Sequence, residues 1–244
     1  MLIRADLHIH TVLSPCAEVE MIPPLVVERA LAEHLDLIAV TDHNASANVQ
    51  AVIDAARATD LKVWAGIEVQ TREEAHVLCL FDTARQLPPL QALLDRALPN
   101  LPNRPETLGE QFVVDAAGDF VRREERMLLL SAQLTLEELV TEVNALGGMA
   151  IPAHIDRPEN GLIPLLGFVP PGLPVAALEI SPNIAASVAR AKFHLPDHLA
   201  VVRGSDAHWL DAIGSAVTEL ELEGTRSVAN VARALREKRY AIQN

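Results

Sequence analysis

The first ten positions, Met1-Leu2-Ile3-Arg4-Ala5-Asp6-Leu7-His8-Ile9-His10, start apolar, end in two histidines two positions apart, and predict a strand. Side chains alternate faces along a strand, so His8 and His10 share a face, with Asp6 on it too. Pro15 makes residues 11–21 a loop. Over 22–34, Leu25, Val26, Ala30 and Leu31 recur at helical spacing, and Pro23 and Pro24 suit a first turn. A second strand over 35–40 runs into Thr41-Asp42-His43-Asn44. A helix over 46–60 follows, with Ser46 placed to cap it. Strands over 61–67 and 76–81 come next, the first ending at Glu68 and the second starting at His76.

Residues 82–134 break this rhythm. They predict one helix near 90–98, then Pro99, Pro102 and Pro105, then a hairpin of 111–115 and 119–122 around Ala116-Ala117-Gly118. The stretch is too short and proline-rich to bury its own core, and reads as an insertion or lid on a single domain spanning 1–244. The alternation then resumes. A helix over 135–146 carries a capping box, Thr135-Leu136-Glu137-Glu138, and is closed by Gly147. Strands are predicted over 149–154, 175–180, 199–208 and 216–222, and a last amphipathic helix over 225–239. Strand alternating with helix is the pattern of a parallel α/β fold.

Composition narrows this further. The 244 residues are 50% hydrophobic but only 3% aromatic, so the core is built from branched aliphatics, as suits a parallel sheet covered by helices. The net charge of −13 disfavours nucleic acid and anionic membranes as partners, while leaving room for bound cations and a small anionic substrate. Cys16 and Cys79 form no C-x-x-C pair and read as free thiols of a reducing cytosol. No basic-then-apolar leader and no apolar run of about 18 residues is present. The expectation is a soluble, cytoplasmic protein.

The candidate chemistry lies at the strand ends. His8, His10, His43, Glu68, His154, Asp206 and His208 all fall where a strand gives way to a loop, with His76 near in sequence. Active sites of barrels and open α/β sheets lie at the carboxyl ends of parallel strands, so these scattered residues are expected to meet on one rim. Histidine with carboxylates suits Zn²⁺, Mn²⁺ or Fe²⁺. Eight ligands exceed what one ion takes, so two or three divalent ions are expected, with Glu68 or Asp206 bridging. Arg157, three residues past His154, is a candidate phosphate ligand, with Asp156 and Glu159 as alternative partners. Asn44 is a second candidate for binding substrate.

The segments D-L-H-I-H-T (6–11), T-D-H-N (41–44), G-I-E (66–68), P-A-H (152–154) and G-S-D-A-H (204–208) resemble, in order, the PHP family, named for polymerase and histidinol phosphatase. The resemblance spans about residues 1–210. It implies a distorted (β/α)₇ barrel and a metal-dependent phosphoesterase with a trinuclear site. By position it implies His8, His10, Glu68 and Asp206 on a first metal, and Glu68, His76 and His154 on a second. His43 and His208 would hold a third, with Asp42 orienting neighbouring ligands, and Asp6 is expected beside them as a further supporting residue. Many members carry S-D-G after the first motif, and its Asp binds the third metal. Here the run is Ser14-Pro15-Cys16, so Cys16, Glu18 or Glu20 would have to substitute.

The expected reaction is hydrolysis of a small phosphomonoester or nucleotide by a metal-activated water, with no side-chain nucleophile. The alternatives are a nuclease or proofreading phosphodiesterase, and a non-catalytic metal-binding protein.

Overall fold

A computed structural model describes residues 1–242. In chain order the elements are β1 (Leu2–Ile9), α1 (Pro23–Ala32), β2 (Leu37–Val40), α2 (Val49–Ala55), β3 (Lys62–Gln70) and β4 (His76–Phe81). There follow α3 (Leu87–Ala97), α4 (Pro105–Leu108), β5 (Phe112–Val114), β6 (Phe120–Arg123), α5 (Leu136–Ala145) and β7 (Met149–Pro152). Last come α6 (Leu162–Leu166), β8 (Ala177–Glu179), α7 (Ala186–Phe193), β9 (Ala200–Val202), β10 (Thr218–Glu221), α8 (Val228–Arg236) and β11 (Tyr240–Ile242).

The main sheet runs β11-β10-β1-β2-β3-β4-β7, and β8 pairs with β9 beside it. The segment after β9 returns to β1: Ala207 N–H donates to His8 O at 3.2 Å, and His10 N–H donates to Ala207 O at 3.0 Å. Ile155 N–H donates to Glu179 O at 2.9 Å, linking the exits of β7 and β8. The sheet thus curls into the distorted barrel the motifs imply.

One predicted feature is corrected. The sheet is not uniformly parallel, because β4 runs antiparallel to both β3 and β7. The short Thr71–Ala75 connection permits only a hairpin, since a parallel return needs a crossover of a dozen or more residues. This reversal puts His76, at the start of β4, at the same end of the sheet as Glu68 in β3. Glu68 therefore lies inside β3, opposite Leu78, rather than at its end.

Alternation along each strand separates two cores. Inward side chains, among them Leu7, Leu37, Trp64, Leu80, Ile151 and Val202, form the barrel interior, and α8 adds Val228, Val231 and Leu235 to it. Trp64 Nε1–H is satisfied by Arg226 O at 2.9 Å. Outward side chains, among them Ile38, Val63, Ile67, Val77 and Phe81, pack under the helices. The α8 helix closes the end of the barrel opposite the histidines. A concavity at that closed end, between Met149, Val175, Leu199 and Ala232, holds none of the metal-type residues predicted above.

The α5 capping box forms as predicted, with Thr135 and Glu138 satisfying each other's backbone N–H groups. Ser46 does not cap α2: the helix starts at Val49 after Asn48, and Ser46 Oγ–H donates to Gln91 instead. The 82–134 stretch is no separate unit. Leu87, Leu90 and Leu94 of α3 join the outer core. The β5–β6 hairpin packs on the loop after β1, where Phe112 N–H donates to Val12 O at 3.1 Å. No helix among the described residues is long and apolar enough to cross a membrane.

Candidate metal centre

All eight predicted ligands meet at one rim, grouped around Glu68. Its Oε1 lies 2.8 Å from His76 Nδ1, 3.2 Å from His154 Nε2 and 3.2 Å from His8 Nε2. Its Oε2 lies 2.9 Å from His43 Nδ1 and 3.5 Å from His10 Nε2. Asp206 Oδ1 lies 3.2 Å from both His8 Nε2 and His10 Nε2. One carboxylate thus faces two histidine sets, as a bridging ligand must.

Three sets of ligand atoms lie within 4.8 Å of one another: His8, His10, Glu68 and Asp206; His43, Glu68 and His76; and His10, His43 and His208. The first matches the expected first metal. The second departs from expectation by holding His43, although His154 also reaches Glu68. Burial without partners tests whether ions fit here. His8 Nε2, His10 Nε2 and Glu68 Oε2 are buried without a hydrogen-bond partner, despite the short approaches among them. Unsatisfied buried polar atoms are costly, and lone pairs converging on one point are what a cation satisfies.

The surrounding residues fix which nitrogen faces inward. His8 Nδ1–H donates to Glu179 at 3.0 Å, leaving Nε2 aimed at Glu68 and Asp206. Ser14 Oγ–H donates to Asp42 at 2.7 Å, and the same oxygen accepts from His10 Nδ1–H at 2.9 Å and His43 N–H at 3.2 Å. His10 therefore also presents Nε2. His208 Nδ1–H donates to the backbone of Asp206 at 2.8 Å. Such outer partners set tautomer and ring orientation and raise ligand basicity.

The electrostatics follow. Burial opposes charge on Glu68, but His76, His8 and His43 hold its carboxyl well below the usual range. Burial disfavours the His8 cation, yet Glu179, Asp206 and Glu68 raise it well above its ordinary value. His10, buried beside His208 and His43, is pushed well down. Burial alone would raise the Cys16 thiol, but hydrogen bonds with His208 and His43 bring it down to about 6.

Two ligands sit on unusual backbone. His154 has φ +27° and Asp206 φ +50°, a region non-glycine residues rarely adopt. Such backbone persists where the surroundings over-determine it, often at functional sites.

Several predicted roles change. Asp6, expected with Asp42 to support the ligands from outside, stands outside the ligand sets but not on the histidines' face. A register irregularity between Asp6 and Ile9 breaks the alternation, and Asp6 accepts from Ser205 N–H and Gly214 N–H, both at 2.9 Å. Burial pushes its carboxyl up to about 6. Asp42 touches no ligand side chain; it accepts from Thr11 N–H, Thr11 Oγ1–H and Ser14 Oγ–H. Asn44 is not placed to bind substrate: its amide donates to Leu128 O and Leu130 O and accepts from Gln70 N–H, tying the 82–134 stretch to β3. Glu18 and Glu20 are exposed and stand outside the ligand sets. Arg157 reaches the rim, where it pairs with Asp206. Asp156, its sequence neighbour, is engaged by Ser181 instead.

Sequence reasoning missed Glu179 and the orienting role of Ser14. The signal for Glu179 was present, since it ends a strand as the other ligands do. Nothing in the sequence marked it as a partner of His8, 171 positions away.

The PHP domain model matches residues 6–107, and the PHP-associated model matches residues 197–240. No curated protein sequence matches the chain significantly. In fold, the chain is similar to the lesion-specific endonuclease PfuEndoQ from Pyrococcus furiosus, with 19% identity and a TM-score of 0.75. That match covers 99% of this chain but 58% of the endonuclease, so the chain spans less than two thirds of that protein. It is similar, at 18% identity and a TM-score of 0.73, to an endonuclease Q in complex with a 27-mer duplex substrate with an abasic lesion at the active site. This second match covers 97% of this chain and 57% of that one. An amidohydrolase from Chromobacterium violaceum with bound sulfate is similar at 21% identity, over 98% and 97% of the two chains, with a TM-score of 0.55.

The duplex complex corrects the expectation that nucleic acid is disfavoured. Whole-chain charge misled because it is not the local field. It counts Glu68 and Asp206, whose carboxylates face histidines and would be offset by bound cations. The five ordered motifs, their convergence on Glu68 and the two family models agree, and the chain belongs to the PHP family of metal-dependent phosphoesterases.

Proposed function

We propose that this protein hydrolyses a phosphodiester of a nucleic-acid strand. The observation that carries the hydrolytic reading is the rim itself: Glu68 between two histidine sets, with Asp206 and Arg157 beside it. Divalent ions held by these residues would supply an acidified water at neutral pH and charge relief for the phosphoryl oxygens.

The residues of the chain do the rest. Glu68 stands between the two histidine sets, with Oε1 near His8 and His76 and Oε2 near His10 and His43. Glu179 and Ser14 keep His8 and His10 in the tautomer that presents Nε2. Arg157 is 43% exposed at its side chain, so its guanidinium is open to solvent while anchored on Asp206. It is placed to take a phosphate oxygen through its donor fork. No serine or cysteine nucleophile is needed: Ser14 Oγ is committed to Asp42, His10 and the His43 backbone.

The nucleic-acid substrate is supported by the fold likeness to endonuclease Q over nearly the whole chain. Trp209, half exposed and next to His208, offers a flat face of the kind that stacks on a base. The chain spans less than three fifths of the endonuclease Q chains it resembles, and hydrolysis of a small phosphomonoester is the second reading.

The test compares abasic duplex, intact duplex and single-stranded oligonucleotides with p-nitrophenyl phosphate, each with Zn²⁺, Mn²⁺ and Fe²⁺. Metal-dependent strand cleavage, abolished in Asp206→Asn, is the expected result. Turnover of the monoester alone would transfer the reading to small phosphates. Failure on every substrate would defeat both.

A further inference from the structure

The chain is poor in aromatic rings, with five phenylalanines, two tryptophans and one tyrosine in 244 residues. It nevertheless leaves Phe120 of β6 62% exposed, and all four residues of that strand, Phe120 to Arg123, are open to solvent. In the facing strand β5, Val113 turns inward onto Leu13, Ala45 and Leu128. Phe112, one position earlier, points the other way. The Phe112 and Phe120 rings meet edge to face, 5.7 Å apart at 87°. The Arg123 guanidinium lies over Phe112, 5.9 Å from the ring centroid. The outer face of the hairpin thus carries two rings and a cation, and neither ring belongs to a core cluster.

This face is fixed to the metal rim. Phe112 N–H donates to Val12 O at 3.1 Å, and Val12 stands two residues past His10. Two residues reach about 7 Å at most. The amide nitrogen of the buried Asn48 donates to Thr11 Oγ1 and to Phe112 O, both at 3.0 Å, and its oxygen accepts from Val114 N–H at 3.0 Å. A Cβ on Gly118 would stand 2.7 Å from Ile22 Cδ1, and one on Gly109 would collide with Pro15 O. Both ends of the hairpin therefore lie against the loop that follows β1.

We propose that the outer face of the β5–β6 hairpin is a stacking platform for a nucleic-acid strand whose scissile phosphate lies at the metal centre. A base stacks on Phe120, and Arg123, oriented by the Phe112 ring, takes a neighbouring phosphate. The inference rests on the nucleic-acid reading above and adds where the strand runs. Arg123 is paired with Glu110 at 3.1 Å, but both side chains are partly exposed, so a phosphate can displace the carboxylate. Arg122 adds a second cation, likewise paired only with a partly exposed carboxylate, Glu124. A second copy of the chain suits this face less well. Four exposed strand residues fall far short of the about 20 a side that a standard protein interface uses.

The test separates the platform from the reading it rests on. Metal-loaded protein is given abasic duplex, single-stranded oligonucleotide and p-nitrophenyl phosphate. The kcat and KM are measured for the unsubstituted protein, Phe120→Ala, Phe120→Leu, Phe120→Trp and Arg123→Ala. Phe120→Ala and Phe120→Leu are expected to raise KM for the oligonucleotides about tenfold with little change in kcat, as loss of one stacked base does. Phe120→Trp should keep the KM of the unsubstituted protein. Arg123→Ala should raise KM and flatten its dependence on salt. Metal content and the urea midpoint of each variant show that the centre and the fold are intact. Strand cleavage with an unmoved KM in Phe120→Ala or Phe120→Leu overturns the platform and leaves the nucleic-acid reading standing. A dimer that light scattering finds in the unsubstituted protein but not in Phe120→Ala, without a change in KM, overturns it in favour of a second copy. Turnover of p-nitrophenyl phosphate alone overturns both the platform and the reading.

Discussion

Glu179 accepts a hydrogen bond from His8 Nδ1 at 3.0 Å, and the same carboxylate oxygen accepts from His154 N–H at 3.1 Å. One side chain at the end of β8 thus aims a ligand of β1 and holds the backbone of a ligand after β7. Removing its charge while keeping its shape should leave the fold intact and loosen the metal. Glu179→Gln is expected to weaken metal affinity by about tenfold, the lower end of what outer partners contribute. Competition with a chromogenic chelator measures it. Unchanged affinity would make Glu179 merely structural.

Gly204 faces the same pair. A Cβ there would stand 2.7 Å from His8 Cβ and 2.9 Å from Glu179 Oε2, closer than real Cβ atoms come. Both neighbours are buried and committed, so neither can yield cheaply. Gly204→Ala is expected to cost about 1–3 kcal/mol of stability, as overpacking does, and to reduce metal loading. Urea denaturation and metal analysis on the same sample test both halves.

Metal affinity should climb with pH. Burial lowers the His43 imidazolium, but Glu68 overrides this and raises it to about 10, above an ordinary value of 6.5. In metal-free protein His43 therefore holds a proton below about pH 10. Coordination takes the neutral ring, so binding must release that proton. Affinity then rises with pH across the neutral range and levels off once His43 is neutral. Calorimetric titration in two buffers of different ionisation enthalpy counts the protons released. A count of zero at neutral pH would contradict the scheme.

The Thr135 cap provides a contrast far from the rim. Thr135 Oγ1 accepts from Glu138 N–H at 3.1 Å, and Glu138 returns the bond to Thr135 N–H at 2.8 Å. Thr135→Ala should cost about 1 kcal/mol. The urea midpoint should fall at constant slope, with metal content and turnover unchanged. A loss of metal in this variant would mean that α5 and the rim are coupled.

Much of this molecule was legible in one dimension, and the reason is local. The capping box over 135–138, the hairpin around Gly118 and the run of β1 depend on neighbours a few residues away. The gathering of the eight candidate residues at one rim was legible too, because each strand carries its metal-type residue there, whatever its partners are. Pairings between distant positions were not. The reversal of β4 follows from a five-residue connection, yet only the folded sheet shows that it sets His76 beside Glu68. Glu179 meeting His8, Arg157 choosing Asp206 over Asp156, and Asn44 spent on backbone are contacts across tens to hundreds of positions, decided by how the barrel closes. The charge of −13 was true of the chain and misleading about its rim, because a sum over residues carries no positions. The sequence determined which chemistry is available; the tertiary structure decided which atoms face it.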